Sequence, residues 1–248
     1  MDEGKLSGKS EDLTERGHGF VVPDFHRERR NGFPEVILAS RKTTDQSVAI
    51  ARAFLERTGR AILSRVGPDL EVRLREEFVG QAELDWIDSA RAAVLRAPGF
   101  AVEPTGGRVG VLSAGTSDIP IAEEAALVCR ETGCRVFTAY DVGGAGLHRL
   151  FGPLHEMLDK KDVEVVIVAA GMDGALPSVV AGLVGIPVVG LPVSVGYGVG
   201  GKGVAALYAM LQSCAPGLSV VNVDNGVGAG AVASLIANRM AAARQRSE

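Results

Sequence analysis

Positive charge is scarce in this 248-residue sequence: 26 lysines and arginines stand against 30 aspartates and glutamates, for a formal net charge of −4. That balance supplies no basic field, so neither nucleic acid nor an anionic membrane surface is expected as a partner. Arg27, Arg29 and Arg30 still cluster closely enough to hold a small anionic ligand. Cysteine is scarce as well. Cys129, Cys134 and Cys214 form an odd set without CxxC spacing, which argues against a disulfide framework or a zinc site and fits a reducing cytoplasm. Long apolar runs are missing too. The first nineteen residues hold no apolar h-region, and the stretch 179–199 is cut by Gly185, Pro187 and Pro192. Neither a signal peptide nor a membrane span is therefore expected.

What the sequence has in abundance is a rhythm. From Val163 to Gly228 short apolar runs alternate with helical patterns opened by glycine-rich turns, the pattern of βαβ units in a parallel sheet. Counting back to Arg108 gives five such units, with strands beginning near Arg108, Arg135, Val163, Ile186 and Leu218. Helices are predicted over Ile119–Glu131, Leu147–Leu158, Ala175–Val184, Val204–Gln212 and Ala229–Met240. The expected fold is α/β: a doubly wound, flavodoxin-like parallel sheet over residues 105–248, preceded by a smaller α+β domain over 20–104 and a disordered or extended arm over 1–19. Pro104, Gly106 and Gly107 mark the junction.

Within the first domain, Asp24, Arg27 and Arg30 recur at helical spacing, and Gly32 and Pro34 turn the chain into a strand at Glu35–Leu38. Thr43 and Gln46 have capping-box spacing and open a helix that stops at Gly59. A strand over Ala61–Val66, a β-like segment over Glu71–Phe78 and a helix over Ala82–Leu95 complete the expectation.

In open parallel sheets ligands bind beyond the carboxyl ends of the strands. The polar residues assigned to that rim include Asp173, Ser194, Tyr197, Cys214, Asp224 and Asn225. The first strand runs into Ser113, Gly115, Thr116, Ser117 and Asp118, a small-residue turn before a helix. Such a turn suits a phosphate or carboxylate, and equally suits a plain turn capped by Ser117 or Asp118. It lacks the third glycine of a dinucleotide fingerprint and the GK[ST] ending of a P-loop. The second strand ends at Asp141 and a glycine turn carrying His148 and Arg149. A cation at a helix N-terminus opposes the macrodipole, so Arg149 needs an anionic ligand or a carboxylate nearby. Asp173, between Gly171 and Gly174, is either a base or an N-cap. Cys214 is either a nucleophile or a small hydrophobe.

Five stretches together carry a resemblance: SAGTSDIPIAEEA from Ser113, DVGGAGLHR from Asp141, GMDGALPSVVAGLVGIPV from Gly171, VGYG from Val195, and SCAPG followed by VVNVDNG from Ser213. They resemble the LarB family of nickel-pincer cofactor carboxylase/hydrolases, and the stretch from Asp24 through Lys42 and Gln46 is similar to that family's first domain. The second domain more distantly resembles the aminoimidazole ribonucleotide carboxylase/mutase (PurE-like) of purine synthesis.

The resemblance implies a cytoplasmic enzyme that carboxylates nicotinic acid adenine dinucleotide at pyridinium C5 with carbon dioxide and then hydrolyses its phosphoanhydride. The products are pyridinium-3,5-biscarboxylic acid mononucleotide and AMP. It implies Cys214 as covalent nucleophile and Asp173 as proton acceptor, where the family more usually has glutamate. It further implies Mg²⁺, no tightly bound organic cofactor and a homo-octamer with sites at subunit interfaces; metal ligands are not assigned. Another departure is Arg41, where the family tends to have glycine. Two alternatives stand beside this reading: a purine-pathway carboxylase or mutase, and a non-catalytic nucleotide-binding module.

Overall fold

The computed structural model describes residues 21–246; the arm expected over residues 1–19 lies outside them. The chain opens with α1 (Arg27–Asn31), closed by Gly32 in the left-handed region. Asp24 pairs with Arg27 and Arg30 at 3.3 and 2.5 Å, so two of the three clustered arginines already hold a carboxylate. After β1 (Val36–Leu38) comes α2 (Thr44–Thr58), whose Thr43–Gln46 capping box forms as the spacing predicts and whose C-cap is Gly59.

The rest of this lobe departs from the sequence reading. The segment over 71–78 is a helix, α3 (Pro68–Glu77), not a strand. Pro68 occupies its first turn, and Glu71–Arg75 and Arg73–Glu77 pair along its exposed face, while Leu70 and Leu74 bury the other. The helix expected over 82–95 is instead a hairpin of β3 (Glu83–Ile87) and β4 (Ala92–Arg96). β4 lies between β2 (Arg60–Ser64) and β3, in the order β1-β2-β4-β3. Its first four residues are fully buried, and a short apolar run buried on both faces has no periodicity that separates it from a helix.

The second sheet is the expected one. Strands β5 (Arg108–Ser113), β6 (Arg135–Ala139), β7 (Val165–Ala170), β8 (Val188–Pro192) and β9 (Leu218–Val220) are all parallel, in the order β6-β5-β7-β8-β9. That is the flavodoxin-like order, with a switch point between β5 and β7. Helices α4 (Ile119–Glu131) and α8 (Gly226–Gln245) cover one face over Val109, Val111, Val165 and Ile167. Helices α5 (His148–His155), α6 (Leu176–Ala181) and α7 (Val204–Leu211) cover the other over Leu112, Val166 and Val168. Both faces of β5 and β7 are buried, which is why their residues are uniformly apolar rather than alternating.

Helix α4 joins the two sheets. Glu124 and Glu131 lie seven residues apart, hence on one face, and both are buried. Glu131 accepts from Arg60 at 3.0 Å and pairs with Arg96. Glu124 accepts from Arg65 at 3.1 and 3.3 Å and from the Ser64 hydroxyl. Leu127, between them, packs with Ile62, Ala90, Ala92 and Val94.

Removing one side of a buried ion pair leaves the other charge uncompensated, at a cost of about 3–5 kcal/mol. Glu131→Leu leaves the buried Arg60, 4% exposed, with only the partly exposed Glu28 carboxylate at 2.8 Å and also removes a partner of Arg96, and is expected to lower unfolding free energy by about 3 kcal/mol in urea titrations. An unchanged midpoint would show that water replaces the carboxylate.

Candidate functional site

The turns that leave β5 and β7 flank the switch point, and one side chain spans it. Asp118 accepts the Gly115 N–H at 2.8 Å with one oxygen and the Gly171 N–H at 3.0 Å with the other. Burial pushes the Asp118 carboxyl above its ordinary range, against the lowering effect of those two bonds. Ser113 is equally committed: it is buried, donates to the Gly115 carbonyl at 3.1 Å and accepts the Asp141 N–H at 3.2 Å. Two residues expected at the ligand are therefore braces of the rim, while Thr116 and Ser117 between them are exposed.

The glycines here are required by close approach. A Cβ at Gly143 would sit 2.4 Å from the Ala114 carbonyl oxygen, and one at Gly171 would sit 2.4 Å from that of Val195. Strain concentrates in the same place. Asp141, Met172 and Asp224, which follow β6, β7 and β9, all have φ between 52° and 58°, a region costly for residues with a Cβ and characteristic of functional turns.

The other expected residues fall as follows. Arg149, in the first turn of α5, is 2.6 Å from the Asp141 carboxylate, the compensation its position demanded. His148 beside it is exposed. Ser194 donates its N–H to Asp224 at 2.8 Å. Tyr197 is 82% exposed, on a loop with the equally exposed Val199. The Asp173 carboxylate is exposed, and its one hydrogen bond among the described residues is a long 3.4 Å bond from the Ala175 N–H.

Cys214 is not on this rim, and that part of the sequence reading is corrected. A Cβ at Gly174 would touch Ala206 near the start of α7, and α7 carries the chain away from there to Leu211, with Cys214 three residues past its end. Gly217, three residues later, bonds the N–H of Val188, the first residue of β8. The cysteine thus sits toward the amino ends of the strands, because a helix that starts at the carboxyl edge returns the chain to the opposite one. It is exposed, whereas Cys129 and Cys134 are buried with their thiols pushed up by that burial.

The sequence reading missed Arg65. Its guanidinium holds Glu124 and also donates to the Asp224 carbonyl, tying the first lobe to the turn that positions Ser194. No local signal marks it, since its partners are 59 and 159 residues away. Among the described residues no three His, Cys, Asp or Glu side chains converge on a metal position.

The class defined by this arrangement is an α/β protein with a flavodoxin-like parallel sheet whose switch-point turns are braced by Asp118. Residues 108–247 match the AIR carboxylase family model, and residues 15–97 match that of the LarB/PurE-like N-terminal domain. The chain belongs to the AIR carboxylase family and is a LarB/PurE-like protein. It is 41% identical over 220 residues to an uncharacterised protein of Methanocaldococcus jannaschii, covering 88% of this chain and 84% of that one. It is 29% identical over 135 residues to an N5-carboxyaminoimidazole ribonucleotide mutase of Thermotoga maritima, covering 52% of this chain and 74% of that one. No helix among the described residues is long and apolar enough to cross a membrane.

Asp118→Ala frees two backbone N–H groups and is expected to cost about 2 kcal/mol by urea denaturation at pH 7. Because the folded carboxyl is raised above its ordinary 3.8, the folded state binds the proton more tightly than the unfolded. This group's stability contribution is therefore full below that value, is lost as pH rises through the folded pKa, and is constant beyond. Asp118→Asn should remove that slope; an identical stability–pH profile in the variant would refute the assignment.

Proposed function

We propose that the chain carboxylates nicotinic acid adenine dinucleotide on its pyridinium ring and hydrolyses the dinucleotide to pyridinium-3,5-biscarboxylic acid mononucleotide and AMP. The observation that carries this reading is the exposed Asp173 carboxylate beside the crevice that Asp118 spans. Two family models in order on one chain, the LarB/PurE-like N-terminal domain and AIR carboxylase, support it.

The chemistry requires a nucleophile because C5 of a pyridinium is electron-poor. A Cys214 thiolate adding to a neighbouring ring carbon forms a C–S bond and converts the ring to an enamine-like system, whose C5 then bonds the carbon of carbon dioxide. Asp173 takes the C5 proton, the C–S electron pair leaves with sulfur, and aromaticity returns. Water then cleaves the phosphoanhydride, giving the biscarboxylated mononucleotide and AMP. Arg149 and the exposed Thr116 and Ser117 of the turn are the groups available for the diphosphate.

Cys214 and Asp173 stand at different ends of the sheet, so we assign the thiol at each ring to a second copy of the chain, in keeping with an octamer whose sites lie between subunits. The apolar surface around this region, with Val204, Tyr208 and Leu211 exposed on α7, suits such an interface.

The test is carbon-dioxide-dependent release of AMP from nicotinic acid adenine dinucleotide. Cys214→Ala and Asp173→Asn are each expected to lower turnover by about a thousandfold, and Asp173→Glu to retain it. Mixed oligomers of the two inactive variants should regain activity. Normal turnover in either single variant removes that residue from the mechanism, and no recovery on mixing removes the second copy. A mutase reading rests on the Thermotoga maritima relative and predicts conversion of N5-carboxyaminoimidazole ribonucleotide instead.

A further inference from the structure

The Asp173 side chain makes one long hydrogen bond among the described residues, so its backbone decides where its carboxylate stands. That backbone is held on both sides. The Met172 N–H donates to the Val195 carbonyl at 2.9 Å, and the Gly174 N–H donates to the Gly171 carbonyl at 2.9 Å. A Cβ at Gly174 would lie 2.6 Å from the Ala206 Cα. The turn after β7 is therefore seated on the loop after β8, which carries Ser194 and Val195.

That loop is itself seated on the turn after β9. The Asp224 carboxylate accepts the Ser194 N–H at 2.8 Å, and the Asp224 N–H donates to the Pro192 carbonyl at 2.9 Å. Asp224 is in turn held from the first lobe, because Arg65, next after β2, donates to its carbonyl. The same guanidinium is anchored on Glu124 at 3.1 and 3.3 Å. One path of bonded groups thus runs from Arg65 through Asp224, Ser194, Val195 and Met172 to Asp173.

Close packing leaves this path little slack. A Cβ at Gly226, two residues past Asp224, would lie 2.6 Å from the Glu124 carboxylate. One at Gly203 would lie 2.6 Å from the Val223 side chain and 3.1 Å from the Ser194 Cα, and one at Gly171 2.4 Å from the Val195 carbonyl oxygen. Arg65, Asp224 and Met172 hold φ at 56°, 55° and 52°. Residues with a Cβ keep such a conformation only where their surroundings over-determine it, so loss of one anchor lets the next turn relax.

We infer that Arg65 is a positioning residue for the Asp173 carboxylate, and that through it the first lobe fixes the place of the base. The inference rests on the reading of Asp173 as proton acceptor. A planar guanidinium suits the task, since its fork meets both Glu124 oxygens and the Asp224 carbonyl at once. A lysine ammonium is a point charge on a flexible stem and reproduces only part of that geometry.

Steady-state turnover of nicotinic acid adenine dinucleotide and hydrogen exchange over residues 171–175, followed by mass spectrometry, test the inference in the full chain. Arg65→Met keeps the stem and removes the donors. It is expected to lower kcat by about ten- to a hundredfold, to change KM by less than about twofold, and to speed exchange over 171–175. Arg65→Lys leaves a cation on the buried Glu124 and should show the same changes to a smaller extent. Leu74→Ala, in the first lobe's own core, weakens that lobe without touching the path and is expected to leave both readouts as they are. Arg65→Met/Asp224→Ala should lose no more kcat than the more damaging single variant, because both substitutions act on one path. Unchanged exchange over 171–175 in both Arg65 variants, an equal change in Leu74→Ala, a rise in KM alone, or additive losses in the double variant overturns the inference. Absence of turnover in the unaltered chain removes the reaction instead, and the exchange measurement still decides whether Arg65 holds the turn.

Discussion

Two carboxylates on one face of α4 hold the molecule together. Glu131 between Arg60 and Arg96, and Glu124 between Ser64 and Arg65, place four groups of the first sheet against one helix of the second. A buried carboxylate is tolerated only when its lone pairs are met, so each glutamate dictates where β2 and its neighbours must lie. The same contacts reach further. Arg65 also holds the Asp224 carbonyl, and the Asp224 carboxylate holds the Ser194 N–H. The orientation of the first lobe and the shape of two rim turns are thus parts of one polar network.

The rim itself is built from backbone more than from side chains. Gly143 and Gly171 let strands and turns approach to distances that a Cβ would forbid, and Asp118 closes the gap between the turns after β5 and β7. Non-glycine residues held at positive φ follow three of the five parallel strands. Their cost is borne by the uniformly buried strands beneath, whose apolar contacts stabilise the fold far more than three strained residues weaken it. Among the described rim residues this leaves Asp173, Thr116, Ser117, His148, Tyr197 and the Asp141–Arg149 pair accessible.

How much was legible beforehand differs between the halves. The parallel sheet was readable because each strand is a short apolar run followed by a glycine turn and an amphipathic helix, a local pattern repeated five times. The first lobe was misread at α3 and at the β3–β4 hairpin. Glu71 to Phe78 alternates loosely, and its helical identity comes from Pro68 and from ion pairs four residues apart. Ala92 to Leu95 looks like helix because alanine and leucine favour one, and is strand because β2 and β3 flank it on both sides.

The sequence by itself determined the α/β class, the strand boundaries of the second half, the capping of α2 and the set of polar residues near the rim, since these depend on neighbours within a few positions. Tertiary structure alone decided which of those residues are braces and which are free, for Ser113 and Asp118 look identical to ligand contacts until their N–H and carbonyl partners are seen. It alone removed Cys214 from the rim, because the edge reached by a residue depends on the direction of the helix preceding it. It alone brought Glu124 to Arg65 and Glu131 to Arg60, since partners dozens of residues apart meet only when both sheets have formed.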